Sequence, residues 1–315
     1  MNTQSEVKLS QAYKNLKEGK FEDAWKILQD AWSFDLDNKE IQAAIKCINF
    51  WKDRLAKAEQ YQDPYEKGES LLSQWKAFTR FMDKDGQYFE RSMYAVRQGI
   101  FSLALKYYNE TLSSKAAQQR NVQIGPDLYR KAGLCYKKLG DYENALKFLE
   151  SACQLCPNSA TIFAEMADCY ALCGNERTAK VFFREAFFVD AQSVDLSLLD
   201  SELICYLVKQ TAENGFTGVL LQEWIPVYGV LFGVFNVKRE LGAIEIGKLK
   251  QKIYSLEVSI HQRGNDVQVL MPQLINHYFW LIDHYITVGE DRARINEILL
   301  KLKVLNPSIY EKYTM

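Results

Sequence analysis

The sequence predicts an all-α chain of repeated helix-turn-helix units, followed by an irregular helical module. Residues of matching size recur with a spacing of 34 between positions 126 and 193, which is typical of a helical repeat. The chain has 315 residues, is 48 % apolar and contains only six prolines, so it has few helix breakers and enough apolar residues for a core. Elsewhere apolar residues recur every three or four positions, as on one face of a helix.

Two regular units lie at 126–159 and 160–193. Their corresponding residues are Tyr129/Phe163, Ala132/Met166, Gly133/Ala167, Tyr136/Tyr170, Ala145/Ala179, Leu149/Phe183 and Ala152/Ala186. Small residues allow two helices to approach closely, and large neighbours fill the remaining space. Gly140 and Gly174 can end the first helix of each unit, and Pro157 ends the second helix of the first unit. Each unit is therefore predicted to be a pair of antiparallel helices.

This pattern resembles the tetratricopeptide repeat, a family whose units are pairs of antiparallel helices. The resemblance implies a right-handed superhelix with a concave side, because a single unit cannot bury its apolar face alone. It also implies a general role, which is to present a surface to another macromolecule.

Weaker copies of the pattern occur outside the two regular units. Residues 5–38 and 85–118 are in register with them, and Gly99 stands at the turn position of the second copy. An irregular unit with a longer first helix is predicted over 39–84, and a degenerate copy over 276–309. We therefore expect four or five repeat-like units. The predicted regions are 1–118, 119–193 and 194–315.

The segments between these copies are predicted from their composition. Residues 118–125 are polar and indicate a connecting loop. The apolar spacing predicts one helix over 194–214 and an amphipathic helix over 246–260. Residues 216–237 are almost wholly apolar and predict a buried helical hairpin that bends at Pro226 and Gly229.

The resemblance also implies where a partner binds, since the first helix of each unit lines the concave groove in tetratricopeptide arrays. The groove residues expected here are Phe89, Met93, Arg97, Arg130, Leu134, Lys137, Lys138 and Asp168. Their mixture of apolar and basic side chains favours a protein or peptide partner with acidic and apolar residues. The alternative is a merely solvated face. The carboxylate clamp of chaperone-binding members is absent, because Arg130, Leu134 and Glu165 stand at its positions.

Composition and motifs argue against several other functions. A net charge of −1 gives no general attraction to nucleic acid, and no secretory signal is evident, so a cytoplasmic protein is expected. Four of the seven cysteines, Cys153, Cys156, Cys169 and Cys173, imitate zinc spacing. In the repeat register they lie too far apart along two helices to meet one ion. No metal, cofactor or catalytic residue is therefore predicted, and the chain is expected not to be an enzyme.

Two alternative functions remain open from the sequence. The first is a membrane-associated or self-associating assembly factor that uses the apolar segment 216–237, with a homo-oligomer formed through the C-terminal module. The interruptions at Gln222, Glu223 and Pro226 make a membrane-spanning helix a poor interpretation of that segment. The second alternative is a hydrolase or metal protein built around His277 and His284. No catalytic motif accompanies these histidines, and packing in an aromatic-rich helix is the favoured interpretation.

Overall fold

The computed structural model describes residues 3–84, 89–113 and 115–315, except for the side chains of 115–124. These residues form α-helices and short 3-10 turns, with no strand among them. The chain divides into two compact units, residues 1–156 (unit 1) and 157–315 (unit 2). The boundaries expected near 118 and 193 differ from this division. Helix 115–139 runs across the first boundary, and the helices of 160–193 share one core with the C-terminal helices.

Unit 1 consists of seven helices in its described residues. They are α1 (Thr3–Lys17), α2 (Phe21–Phe34), α3 (Lys39–Glu59), α4 (Pro64–Asp83), α5 (Glu90–Ser113), α6 (Lys115–Leu139) and α7 (Tyr142–Leu155). The α3–α4 pair has the long first helix that the sequence predicts. Asn38 caps α3 by accepting the N–H groups of Glu40 and Ile41, and Asp63 caps α4, which begins with Pro64.

Unit 2 contains eight helices and two 3-10 turns. The helices are α8 (Ala160–Leu172), α9 (Glu176–Asp190), α10 (Glu202–Ala212), α11 (Gly218–Leu231), α12 (Ala243–Ile260), α13 (Val267–Val288), α14 (Arg292–Leu305) and α15 (Pro307–Thr314). Every residue of α13 from Leu274 to Tyr285 is buried, because α11, α12 and α14 pack around it. The prediction of an amphipathic helix over 246–260 is confirmed by α12.

Four helix pairs share one turn geometry. Gly19, Gly140, Gly174 and Gly289 have φ values of 76°, 86°, 79° and 70°, a conformation that favours glycine. At Gly140 the glycine N–H bonds to Lys137, and the next N–H bonds to the carbonyl of Tyr136 at 3.0 Å. The same two hydrogen bonds follow α1, α8 and α13. These glycines lie in the units predicted at 5–38, 126–159, 160–193 and 276–309.

The helix-turn-helix unit predicted over 85–118 is not formed by the described part of that segment. Residues 85–88 lie outside the described residues, and Glu90–Ser113 is one uninterrupted helix. Gly99 makes no turn because it lies where α5 crosses α1. A Cβ atom at Gly99 would collide with the backbone carbonyl of Leu16. The glycine therefore permits a close helix crossing instead of a helix end.

The connecting loop predicted over 118–125 is also incorrect. The backbone there belongs to α6, which contains Pro126. A proline inside a helix removes one backbone hydrogen bond and can kink the helix without ending it.

The single helix predicted over 194–214 is replaced by a 3-10 turn and the shorter α10. The carboxylate of Asp168 accepts the N–H of Asp200 at 3.0 Å and that of Ser201 at 2.8 Å. Asp195 accepts the N–H of Ser197 at 3.0 Å. These side chains satisfy backbone donors that a continuous helix would have used, so α10 begins only at Glu202.

The helical hairpin predicted over 216–237 is one helix followed by a non-helical segment. Pro226 lies inside α11 without splitting it. Gly229 provides space for the ring of Phe235, whose N–H bonds back to the Gly229 carbonyl at 2.8 Å. The apolar residues of this segment are nonetheless buried along much of α11, from Trp224 to Tyr228.

A buried ion pair fixes the non-helical segment of unit 2 against two helices. Arg184 on α9 pairs with Asp283 on α13, and both side chains are more than 90 % buried. Arg184 also donates to the carbonyl of Val237 at 2.7 Å, and Lys238 lies 3.1 Å from Asp283. The guanidinium of Arg184 stands over the ring of Trp280 at 4.5 Å. Both charges are therefore matched by partners inside the core.

Replacement of Gly99 by alanine should destabilise unit 1. Alanine normally stabilises a helix interior by about 1 kcal/mol relative to glycine. Here the collision with α1 should reverse that gain and cost about 1–3 kcal/mol net. Urea unfolding followed by circular dichroism measures the effect. The control Gly247→Ala, at a site with open space, should be neutral or stabilising. Equal behaviour of the two variants would contradict the close crossing.

Asp283→Ala should destabilise unit 2 by about 3–5 kcal/mol, because it leaves Arg184 charged in the core without its counterion. The matched control is Glu143→Ala, which removes the exposed partner of Lys147 and should cost less than about 0.5 kcal/mol. Thermal unfolding midpoints provide the comparison. Similar losses of stability in the two variants would mean that the buried ion pair contributes no more than the exposed one.

Candidate protein-binding surface

The predicted groove residues of α5 lie at or near its start. Phe89 directly precedes the helix and is half-buried, as is Arg97, whereas Met93 is buried. Their spacing of four residues places them along one face of the helix. Phe89 and Arg97 are therefore accessible at the surface, while Met93 belongs mainly to the core.

Arg130, on α6, is held in a network of charges. The carboxylate of Asp127 accepts its Nη2 at 2.9 Å and also lies 2.7 Å from Lys131, which pairs with Glu69. Burial alone would raise the pKa of Asp127, but the hydrogen bond from Lys131 and the charge of Arg130 outweigh it and lower that pKa. Tyr65 donates to the same carboxylate at 2.9 Å. Arg130 is thus positioned by its neighbours, and part of its charge is already balanced.

Three other predicted residues of α6 do not present an open surface. Lys137 and Lys138 are only 2 % and 5 % exposed, and Leu134 is buried as well. Neither lysine is without a partner, as expected for charged groups held away from water. The resemblance to the tetratricopeptide repeat implies a ligand-facing position for these two lysines, and the structure buries them instead. Because both lysines are buried, substituting them would disturb the fold, and a change in ligand binding could not be attributed to a lost contact with the ligand.

Asp168 has a structural role in unit 2. It is fully buried, and its carboxylate holds the backbone N–H groups of Asp200 and Ser201. A ligand would have to replace these bonds to reach it. The expectation that Asp168 lines the groove is therefore corrected: the residue shapes the chain between α8 and α10.

Sequence reasoning missed an aromatic residue next to the predicted set. Tyr94 is 43 % exposed, and its ring lies 5.3 Å from the guanidinium of Arg97 and 4.9 Å from the ammonium of Lys17. The available signal was its spacing of three residues from Arg97 on a predicted helix. The repeat register did not select it because it is not a groove position in that register.

Aromatic pairs inside the repeats were missed as well. Phe148 lies 5.1 Å from Tyr136, and Phe182 lies 5.5 Å from Tyr170. Phe148 and Phe182 are themselves 34 residues apart. Each pair helps to join the two helices of its repeat.

The histidines of α13 are core residues. His277 donates from Nδ1 to the carbonyl of Gln273 at 2.6 Å, and Nδ1 of His284 accepts the N–H of Leu241 at 3.3 Å. Burial lowers the pKa of His277 to about 4. Each of the two histidines is only 9 % exposed. Both rings are oriented by backbone groups, which suits a structural role.

The four cysteines with zinc-like spacing lie on two helix ends and one helix interior. Cys153 and Cys156 stand at the end of α7, Cys169 is buried in α8, and Cys173 follows that helix. Within residues 3–84, 89–113 and 115–315, no group of three or more His, Cys, Asp or Glu side chains is arranged to hold a metal ion.

Comparison with known families identifies one repeat. Residues 126–159 match the model of the tetratricopeptide repeat. They comprise α7 and the part of α6 that begins at Pro126, where Gly133 packs against Leu149. A search of curated proteins found no match. The chain therefore contains a tetratricopeptide repeat, a module that generally takes part in protein–protein interactions. None of the described helices has the length and apolar character needed to cross a membrane.

The depressed pKa of His277 predicts a pH dependence of stability. The unfolded chain binds a proton near pH 6.5, whereas the folded chain does so only near pH 4. Stability should therefore fall as the pH drops from 6.5 to 4, by about 3 kcal/mol in total. The variant His277→Phe should lose this component of the pH profile, while His261→Gln, at an exposed site, should keep it. Urea midpoints measured across this range test the claim, and identical profiles for wild type and His277→Phe would refute it.

Proposed function

We propose that this chain is a non-catalytic adaptor that binds a protein partner through unit 1. The proposed surface, which we call the first-helix face, includes the accessible groove residues Phe89, Arg97 and Arg130. The observation that supports this proposal is the tetratricopeptide repeat at 126–159, since such repeats bury one side of each helix against a neighbour and leave the other for ligands. The accessible residues of the predicted groove lie on the same unit.

The partner would contact an apolar and basic surface. Phe89 supplies an aromatic anchor, and Arg97 and Arg130 supply positive charge at the edge of the buried residues Met93 and Leu134. Partly buried aromatic and arginine side chains are the residue types that contribute most to protein interfaces. A segment that combines apolar and acidic residues matches this surface best. Lys137, Lys138 and Asp168 would act indirectly, by holding the helices that carry these contacts.

The alternative that uses residues 216–237 has less support. The central residues of that segment are buried in unit 2, and Glu223 is held there by the side-chain amides of Gln192 and Gln273, each at 2.7 Å. The central apolar side chains are therefore occupied in the core, whereas Val219 and Phe232, nearer the ends of the segment, are 46 % and 44 % exposed. Self-association through the C-terminal module would instead use exposed apolar side chains of other helices, such as Tyr254 on α12 and Val304 on α14, which are 70 % and 79 % exposed.

The function is tested by capture from a native extract followed by direct titration of the purified partner. The wild-type chain is compared with Phe89→Ser/Arg97→Glu. The control Leu36→Ser/Lys147→Glu makes the same types of change at exposed positions of unit 1. We expect the first double variant to weaken binding by about 30-fold or more, as for loss of an interface anchor, with the control unchanged.

Circular dichroism of each variant checks that the fold is retained. Equal partner affinity for the wild type and both variants would reject this surface. Recovery of the chain alone would favour self-association.

A further inference from the structure

An open cleft of about 310 Å³ lies between helices α1 and α5. It is lined by Ser10, Tyr13, Lys14, Lys17, Arg91 and Tyr94. Lys14 and Lys17 are one helical turn apart on α1, and Arg91 and Tyr94 are one turn apart on α5. Two helices that are distant in sequence therefore contribute one lining, which we call the α1–α5 cleft.

The floor of the α1–α5 cleft is rigid. Tyr13 is buried, and its hydroxyl donates to Glu40 at 2.8 Å and lies 2.7 Å from the hydroxyl of Ser92. Just beyond the cleft, Gly99 allows α5 to pack directly on the backbone of α1. The hydrogen bonds of Tyr13 and the close helix crossing thus fix the two helices that carry the lining residues, so the shape of the cleft does not depend on a bound ligand.

The positive charge around the α1–α5 cleft exceeds the negative charge. Arg91 is balanced by Glu6 at 2.7 Å and Glu40 at 3.6 Å. In the part of the chain that the structure describes, Lys14 and Lys17 have no carboxylate at ion-pair distance. Arg97 likewise forms no ion pair there, and its buried Nε has no hydrogen-bond partner. The pKa of Glu18 is lowered chiefly by Lys20 and also by the charge of Lys14, so part of the Lys14 charge is balanced. None of the three cations Lys14, Lys17 and Arg97 forms an ion pair in the described residues, and their charge remains available to a ligand.

Tyr94 gives the α1–α5 cleft an apolar wall. The ammonium of Lys17 and the guanidinium of Arg97 both stand over its exposed ring. Such cation–π contacts hold flexible cationic side chains beside the ring. An anionic segment that enters the cleft would meet the charge of these cations, which the ring of Tyr94 helps to hold in place.

We propose that the α1–α5 cleft binds an acidic segment of the protein partner, with successive carboxylates paired to Lys14, Lys17 and Arg97. This inference rests on the proposed function and names the chemistry of its partner. The cations are distributed along the cleft: Lys14 and Lys17 are about 4.5 Å apart along α1, and Arg91 and Arg97 about 9 Å apart along α5. This distribution suits a row of carboxylates on an extended chain, where alternate side chains are about 7 Å apart, better than one phosphate group.

The test uses a fluorescein-labelled oligoglutamate peptide and the full chain, with binding followed by anisotropy. Lys14→Glu/Lys17→Glu should weaken binding by about tenfold or more, because two attractions become repulsions. The matched control is Lys106→Glu/Lys147→Glu, two exposed lysines on the same unit. Lys106 is about 18 Å along α5 from Tyr94. We expect this control to bind within about twofold of wild type, and the affinity of all forms to fall with added salt.

Three results would overturn the assignment. These are equal affinities for the two double variants, equal binding of an oligoglutamine peptide, and displacement of the peptide by inorganic phosphate at concentrations similar to its own. The same variants are then titrated with the captured partner. If Lys14→Glu/Lys17→Glu keeps full partner affinity while Phe89→Ser/Arg97→Glu loses it, the adaptor function stands and the acidic-segment assignment fails. If both variants keep it, both proposals fail.

Discussion

The packing of each unit depends on helices that approach more closely than two ordinary side chains allow. Gly133 brings α6 against Leu149 of α7, where an added Cβ would lie 2.8 Å from the leucine side chain. Gly99 brings α5 onto the backbone of α1, and Gly229 accommodates the ring of Phe235. Close approach buries apolar surface at high density and leaves little freedom in how the helices cross. These crossings help to set how α1, α5, α6 and α7 present their exposed side chains.

Local and periodic features were predictable from the sequence, and long-range contacts were not. The turns at Gly140 and Gly174 follow from a glycine at a fixed place in a repeat. Gly99 stands at the same place in its copy but has a different role, because its environment is set by Leu16, 83 positions earlier. The end of the predicted helix 194–214 likewise depends on Asp168, whose carboxylate competes for backbone donors that lie 32 and 33 residues later.

In the candidate surface, too, local features were predictable and long-range contacts were not. Phe89, Arg97 and Arg130, three of the groove positions that the resemblance implies, have partly exposed side chains. The resemblance did not reveal that Lys137 and Lys138 are buried, since a lysine has the same appearance in sequence whether it is solvated or held in a core with partners. The α1–α5 cleft was missed because Lys14 and Arg91 become neighbours only when α5 packs on α1. Such a site requires the tertiary contact, which no local pattern specifies.

The central claim is that a protein partner engages the first-helix face of unit 1. Hydrogen–deuterium exchange of the full chain, with and without its captured partner, tests this claim most directly. Backbone amides in α1 and in the first turns of α5 should exchange more slowly in the complex, while those of α12 should be unchanged. Absence of protection from α1 and α5 would contradict the account, and protection restricted to unit 2 would place the binding surface there.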